Sequence, residues 1–167
     1  MVIVLGIDPG TANTGFGVVV SFGSRLAALD GGVIATEAGE RLERRLAKIH
    51  AQVSDLIAEH RPTALAVEDI FFGQNARTAF AVGQARGAVL LSAGAAGVPC
   101  FSYTPQAIKQ AVCGSGRAEK SQVQRMVGSL LALAAPPEED HAADALAVAI
   151  CHANRSAHRS ALRKALA

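Results

Sequence analysis

The chain opens on an apolar run, Val2-Ile3-Val4-Leu5, rich in β-branched residues and stopped by Pro9-Gly10. That pattern predicts a buried strand, Val2 to Ile7, meeting a turn at Asp8. Gly15 to Phe22 is a second such run, and Leu26 to Thr36 a third, with Asp30-Gly31-Gly32 as a turn or bulge inside it. The turn chemistry between these runs predicts an antiparallel meander. Leu42, Leu46, Ile49, Val53 and Ile57 then recur at helical spacing, with Arg44, Arg45 and Lys48 on other faces. An amphipathic helix ending near Pro62 follows from that spacing. Leu65-Ala66-Val67 is a short buried strand that runs directly into Glu68 and Asp69, and Ile70 to Gln74 reads as a loop. Ala76 to Ala96 is a long helix poor in charge. Its small residues Ala79, Gly83 and Gly87 are four apart and form one stripe. Glycine costs helix stability, so the stripe suggests close backbone approach, in the core or across a dimer axis.

Val98 to Tyr103 is a further strand. Thr104-Pro105 caps and starts a helix through Val112. Glu119 to Ala134 is helical, and after Pro136-Pro137 a final helix runs from Ala142 to about Ala153. This order predicts one α/β domain: a mixed sheet, meander plus parallel strands, covered by helices. The single domain spans residues 1–155, and 156–167 form a basic tail or helix extension with Arg159, Arg163 and Lys164.

Composition narrows the class. The 167 residues suffice for one well-packed domain. Half are hydrophobic and 18% charged, which excludes disorder, and with no Trp and one Tyr the core is aliphatic. A net charge of +2 names no partner. Cys100, Cys113 and Cys151 are scattered and odd in number. They fit neither a zinc site nor a disulfide framework and suit the reduced core of a cytoplasmic protein. The first strand is too short for a signal peptide, and nothing approaches membrane-span length.

The candidate chemistry is acidic. Asp8 and Glu68 each end a short apolar strand, on either side of a helical crossover. Such a unit places its strands parallel and near each other, so the two carboxylates can converge. A third group, Glu138, Glu139, Asp140, His141 and Asp144, begins the last helix. Glu138 and Glu139 satisfy a helix dipole and need no further role. Asp144 is flanked by Ala142, Ala143, Ala145 and Ala147, which predicts partial burial. Asp140 and His141 lie near its helix face. Asp8, Glu68, Asp144 and one of Asp140 or His141 could hold two hard divalent cations such as magnesium. Two ions ~4 Å apart clamp the attacking and leaving oxygens in phosphoester hydrolysis.

Gly114-Ser115-Gly116-Arg117-Ala118-Glu119-Lys120-Ser121 approaches a phosphate-binding loop. Glu119 replaces its second glycine and it follows a helix, so it fails on charge and on context. A glycine-hinged loop with Arg117 and Lys120 near a helix start remains, beside Lys109 and Arg125. It suits a nucleic-acid backbone or a solvated surface equally.

Gly6-Ile7-Asp8-Pro9-Gly10, Val67-Glu68, Gly83-Gln84-Ala85-Arg86-Gly87, Ala118-Glu119-Lys120-Ser121-Gln122-Val123 and Ala142-Ala143-Asp144-Ala145-Leu146-Ala147 resemble the RuvC family of bacterial Holliday junction resolvases. The likeness runs in order from about residue 1 to 155. It implies a ribonuclease H-like fold, a homodimer, and magnesium-dependent cleavage of four-way junction DNA beside a branch-migration motor (RuvA and RuvB type). It implies a catalytic, metal-binding quartet of Asp8, Glu68, His141 and Asp144. The His141 position is commonly Asp in the family, and a softer imidazole would let Mn2+ serve as well as Mg2+. Lys109 and Lys120 match basic residues used near the DNA, and Phe71 an aromatic inserted at the junction centre. Within that implied quartet Asp8 is expected to bridge two ions. In-line attack by water is expected to leave 5′-phosphate and 3′-hydroxyl ends, and a two-fold dimer to make paired symmetric nicks. Gly6 to Thr11 also resembles the first phosphate loop of actin-like ATPases and sugar kinases, but those need a second lobe for which this chain is too short.

Overall fold

The computed structural model describes residues 1–69 and 76–165, with side chains for 1–69 and 79–156; Phe71 lies outside them. In chain order the elements are β1 (Val2–Asp8), β2 (Asn13–Phe22), β3 (Arg25–Ala35), α1 (Leu42–His60), β4 (Ala64–Glu68), α2 (Ala76–Ala95), β5 (Cys100–Tyr103), α3 (Pro105–Cys113), α4 (Lys120–Leu130) and α5 (Asp140–Ala165). The strands form one sheet in the order β3-β2-β1-β4-β5. β1, β2 and β3 pair antiparallel as the meander, and β4 and β5 run parallel to β1.

Strand residues alternate between two cores, as the pleat requires. Leu5, Ile7, Val18, Leu65 and Val67 pack against Ile49 and Val53 of α1 and Ala85 and Val89 of α2. Val4, Val19, Ala66 and Tyr103 face the other way, onto Ile108 of α3, Val123 and Val127 of α4, and the Leu146–Cys151 turns of α5. Helices thus cover both faces. The β1–β4 register advances from Val4↔Ala64 to Ile7↔Val67, so Asp8 and Glu68 come next in their strands. One residue past Ile7 and Val67, both side chains turn to the α5 face.

Glycines seat α5. A Cβ on Gly15 would overlap the His141 carbonyl, one on Gly6 the Ala145 carbonyl, and one on Gly17 would lie 2.7 Å from Leu146 Cδ2. The helix backbone therefore rests directly on β1 and β2, which sets the height of its first turns above Asp8.

The third strand carries the expected bulge, at Leu29 beside Asp30: Val18 pairs with Asp30 and Val19 with Ala28, leaving Leu29 without a partner, while Gly31 and Gly32 pair regularly with Gly17 and Phe16. Two boundaries differ from the pattern-based expectation. β5 is only four residues long. α4 stops at Leu130, where Ala132 takes a left-handed φ of 51° and the Leu133 N–H closes on the Gly128 carbonyl at 2.9 Å. That is a Schellman-type end made without glycine. α5 runs from Asp140 to Ala165, so the residues after Ala153 extend the helix. The small-residue stripe of α2 is divided as well. Ala79 is buried and Gly87 exposed, while Phe80 and Leu91 stand out into solvent at 69% and 61% exposure.

Candidate active site

Three elements meet at the carboxyl ends of β1 and β4. Asp8 ends β1, Glu68 ends β4, and the first turns of α5 bring His141 and Asp144 over them. His141 Nδ1 lies 2.8 Å from Asp8 Oδ2, where an Nδ1–H donates to the carboxylate. Asp8 is the more enclosed partner, its side chain 16% exposed against 44% for His141. Glu68 and Asp144 line a cavity of about 200 Å³ with Lys109, Lys120, Pro105, Ile108 and Val123.

The electrostatics are those of crowded acids. Burial, then the negative charges of Asp8 and Asp144, push the Glu68 carboxyl from its ordinary 4.5 up to about 7, and its hydrogen bond to Asp8 adds to the rise. Lys109 pulls it the other way. Burial also raises Asp144, against the opposing charge of Lys120. Lys120 Nζ sits 3.0 Å from Asp140 Oδ2 and 3.5 Å from Asp144 Oδ2. Burial works against its charge, but those two acids outweigh it and hold its ammonium above the usual lysine range. Asp140 is exposed, and the Lys120 hydrogen bond keeps its carboxyl below the usual range. Its other oxygen accepts from Gln124 Nε2 at 2.7 Å.

Among the described residues, no three His, Cys, Asp or Glu side chains are already gathered as a cation site. The carboxylates instead find their partners within the chain, Asp8 accepting from the His141 N–H and Asp144 pairing with Lys120. The donor set nevertheless suits hard divalent cations: carboxylate oxygens with one imidazole, on rigid strand ends and a helix start. The mutual repulsion that raises Glu68 is the repulsion a cation would relieve.

The sequence model of the family described as "Crossover junction endodeoxyribonuclease RuvC" matches residues 4–152. The chain belongs to the RuvC family. A RuvC from Rubrobacter xylanophilus is 54% identical over 151 residues, covering 90% of this chain and 84% of its own. One from Geobacter sp. M21 is 50% identical over 162 residues, covering 97% and 98%. A solved structure of Thermus thermophilus RuvC in complex with a Holliday junction substrate superposes with a TM-score of 0.90 at 41% identity, covering 95% of this chain and 97% of that one. The ribonuclease H-like architecture expected of a RuvC chain is therefore present.

Of the residues singled out in sequence, Asp8 meets His141, and Glu68, Asp144, Lys109 and Lys120 share the cavity. Arg117 is exposed on the turn between α3 and α4, its backbone N–H 3.3 Å from Ser115 Oγ. The pattern missed Gln124, which occupies Asp140, and the glycine seat beneath α5. Gln124 stands one turn after Lys120 on α4, a spacing that could have marked a shared face. Gly15 and Gly17 alternate on one strand face, which could have marked the seat.

Proposed function

We propose that this chain resolves four-way Holliday junctions in recombination and repair as a divalent-metal-dependent endonuclease, with Asp8, Glu68, His141 and Asp144 holding two Mg2+ ions. Mn2+ supports the same reaction, because one ligand is imidazole. The observation that carries the reading is the convergence of Asp8, Glu68, His141 and Asp144 where β1, β4 and α5 meet; burial and mutual repulsion, which also raise the Glu68 carboxyl, make that cluster costly until cations neutralise it. When bound, the ions supply Lewis-acid stabilisation of the attacking and leaving oxygens.

The side chains supply the rest. Asp8, in contact with both His141 and Glu68, would be the central ligand of the set. Lys109 and Lys120 line the cavity and suit the scissile phosphate; Arg117 suits the flanking backbone, and Phe71 stacks at the junction centre. With Asp144 holding a cation, Lys120 would be free to turn from it to the phosphate. Water attacks in line, leaving 5′-phosphate and 3′-hydroxyl ends. His141, rather than Asp140, is the fourth ligand: His141 already contacts Asp8, whereas Asp140 points outward to Lys120 and Gln124.

The protein acts as a homodimer, so that two sites face a two-fold junction and cut in pairs. The exposed Phe80 and Leu91 on α2 suit that contact. It works in the cytoplasm beside a branch-migration motor. No helix among the described residues is long and apolar enough to cross a membrane. The test is cleavage of four-way, duplex and single-stranded DNA side by side with Mg2+. Preferential cutting of the four-way junction is expected; equal cutting of all three would leave a nuclease without junction specificity.

A further inference from the structure

We infer that Arg86 is a positioning residue that fixes the strand end carrying Glu68, from the face of the sheet opposite the cleft. Arg86 lies on α2, and its Nη2 donates to Ser102 Oγ on β5 at 2.6 Å. The same nitrogen lies 3.7 Å from Asp69 Oδ1. Asp69 directly follows Glu68, and its N–H donates to the Tyr103 carbonyl at 2.8 Å, extending the β4–β5 ladder one residue past the strand. In that ladder Glu68 pairs with Tyr103 and Val67 with Ser102. Successive side chains alternate across the sheet. Glu68 therefore faces α5 while Asp69 and Ser102 face α2. Arg86 spans the outer two, and any roll of the strand end that moved Asp69 would move Glu68 the opposite way.

Stability does not account for this arrangement. The Asp69 side chain is 48% exposed, and an ion pair that open is worth little. The Arg86 Nε–H is buried and finds no hydrogen-bond partner among the described residues, which is a cost. A guanidinium held at that cost, joining the residue after a candidate ligand to the neighbouring strand, is placed to hold geometry. Outer partners that orient a ligand typically govern metal affinity or activity by 10–100-fold.

The inference rests on Glu68 being a metal ligand, and its test carries a readout that does not. Arg86→Gln in the full-length chain should raise the Mg2+ concentration for half-maximal junction cleavage and lower the single-turnover rate, each by about tenfold. Metal-free junction binding should be unchanged. In metal-free protein, hydrogen exchange at the Asp69 amide should speed up by about tenfold while exchange elsewhere in β1 and β4 holds. Arg86→Lys keeps the charge but cannot hold both partners, and should fall between wild type and Arg86→Gln; it serves if the first variant does not fold. Adding Asp69→Asn to Arg86→Gln should cost less than the two single losses combined. Unchanged exchange at Asp69 would overturn the inference. So would an unchanged metal midpoint, or a rate loss tracked by lost junction binding, which would make Arg86 a DNA contact. Faster Asp69 exchange with a cleavage-competent Glu68→Gln would instead contradict Glu68 as ligand and leave the pinning intact.

Discussion

Glu68→Gln should make the metal-free protein more stable while abolishing cleavage, and the gain should depend on pH in a direction that can be worked out. Burial and the charges of Asp8 and Asp144 raise the Glu68 carboxyl from 4.5 to about 7. A folded-state value above the unfolded one means that the folded chain keeps a proton the unfolded chain has released. The associated stability is complete below about pH 4.5 and is lost as pH rises through about 7. At ~1.4 kcal/mol per pH unit, that rise corresponds to about 3 kcal/mol at pH 8. Glutamine is neutral at every pH, and its amide can donate to Asp8 as the protonated acid does. Melting in chelator at pH 8 should therefore place the variant above wild type by up to roughly 6–12 °C, at ~2–4 °C per kcal/mol for a chain of this size. The gap should close towards pH 4.5. Added Mg2+ should raise the wild-type melting temperature and leave the variant nearly unmoved. A variant less stable than wild type at pH 8, or a gap that does not change with pH, would refute the reasoning.

Further outcomes follow from the same geometry. Gly15→Ala should lower the melting temperature by several degrees, since overpacking costs roughly 1–3 kcal/mol, and should reduce cleavage further than stability alone explains because it lifts His141 from Asp8. Circular dichroism melts and junction cleavage on the same preparation check both. Phe80→Asp with Leu91→Asp should yield monomers in sedimentation without lowering the melting temperature of the monomer unit, because both side chains are exposed; a dimer of unchanged mass would place the two-fold contact elsewhere. His141→Asp should remain active and shift metal preference from Mn2+ towards Mg2+, while Asp140→Asn should change cleavage by less than about tenfold. If Asp140→Asn abolishes cleavage and His141→Ala does not, Asp140 is the ligand.

Much of this molecule is readable from its pattern. The strands that carry Asp8 and Glu68 are short apolar runs that end in an acid, and a carboxylate at such a place is costly without a partner. The alanines around Asp144 mark a helix packed close on the sheet, and Ala142, Ala143 and Ala145 are indeed buried. Local spacing does not choose between His141 and Asp140, because both stand within one turn of Asp144, and only the family resemblance favours His141. The structure adds that Lys120 and Gln124 reach across from α4 to Asp140, a contact between helices that spacing does not encode. The end of α4 was hidden for a different reason. Ala132 has high helix propensity, and only the packing of Gly128 against Pro136 and the closure by Leu133 turn the chain out. The pattern left the end of α5 open between a tail and a helix extension, because the apolar spacing gives out after Ala153 while polar residues such as Asn154 and Arg155 continue the helix. The exposed face of α2 was hidden by a helix apolar on nearly every side, in which small-residue spacing could not separate buried Ala79 from exposed Gly87.

The central claim is that Asp8, Glu68, His141 and Asp144 bind the cations and do not hold the DNA. Asp8→Asn tests it most directly, since Asn keeps the shape and removes the charge from a side chain only 16% exposed at the centre of the site. Single-turnover cleavage of a four-way junction in Mg2+ should fall to background, while junction binding in chelator stays at or above the wild-type level because a negative charge near the phosphates has gone. Substantial cleavage by Asp8→Asn, or loss of metal-free junction binding, would contradict the account.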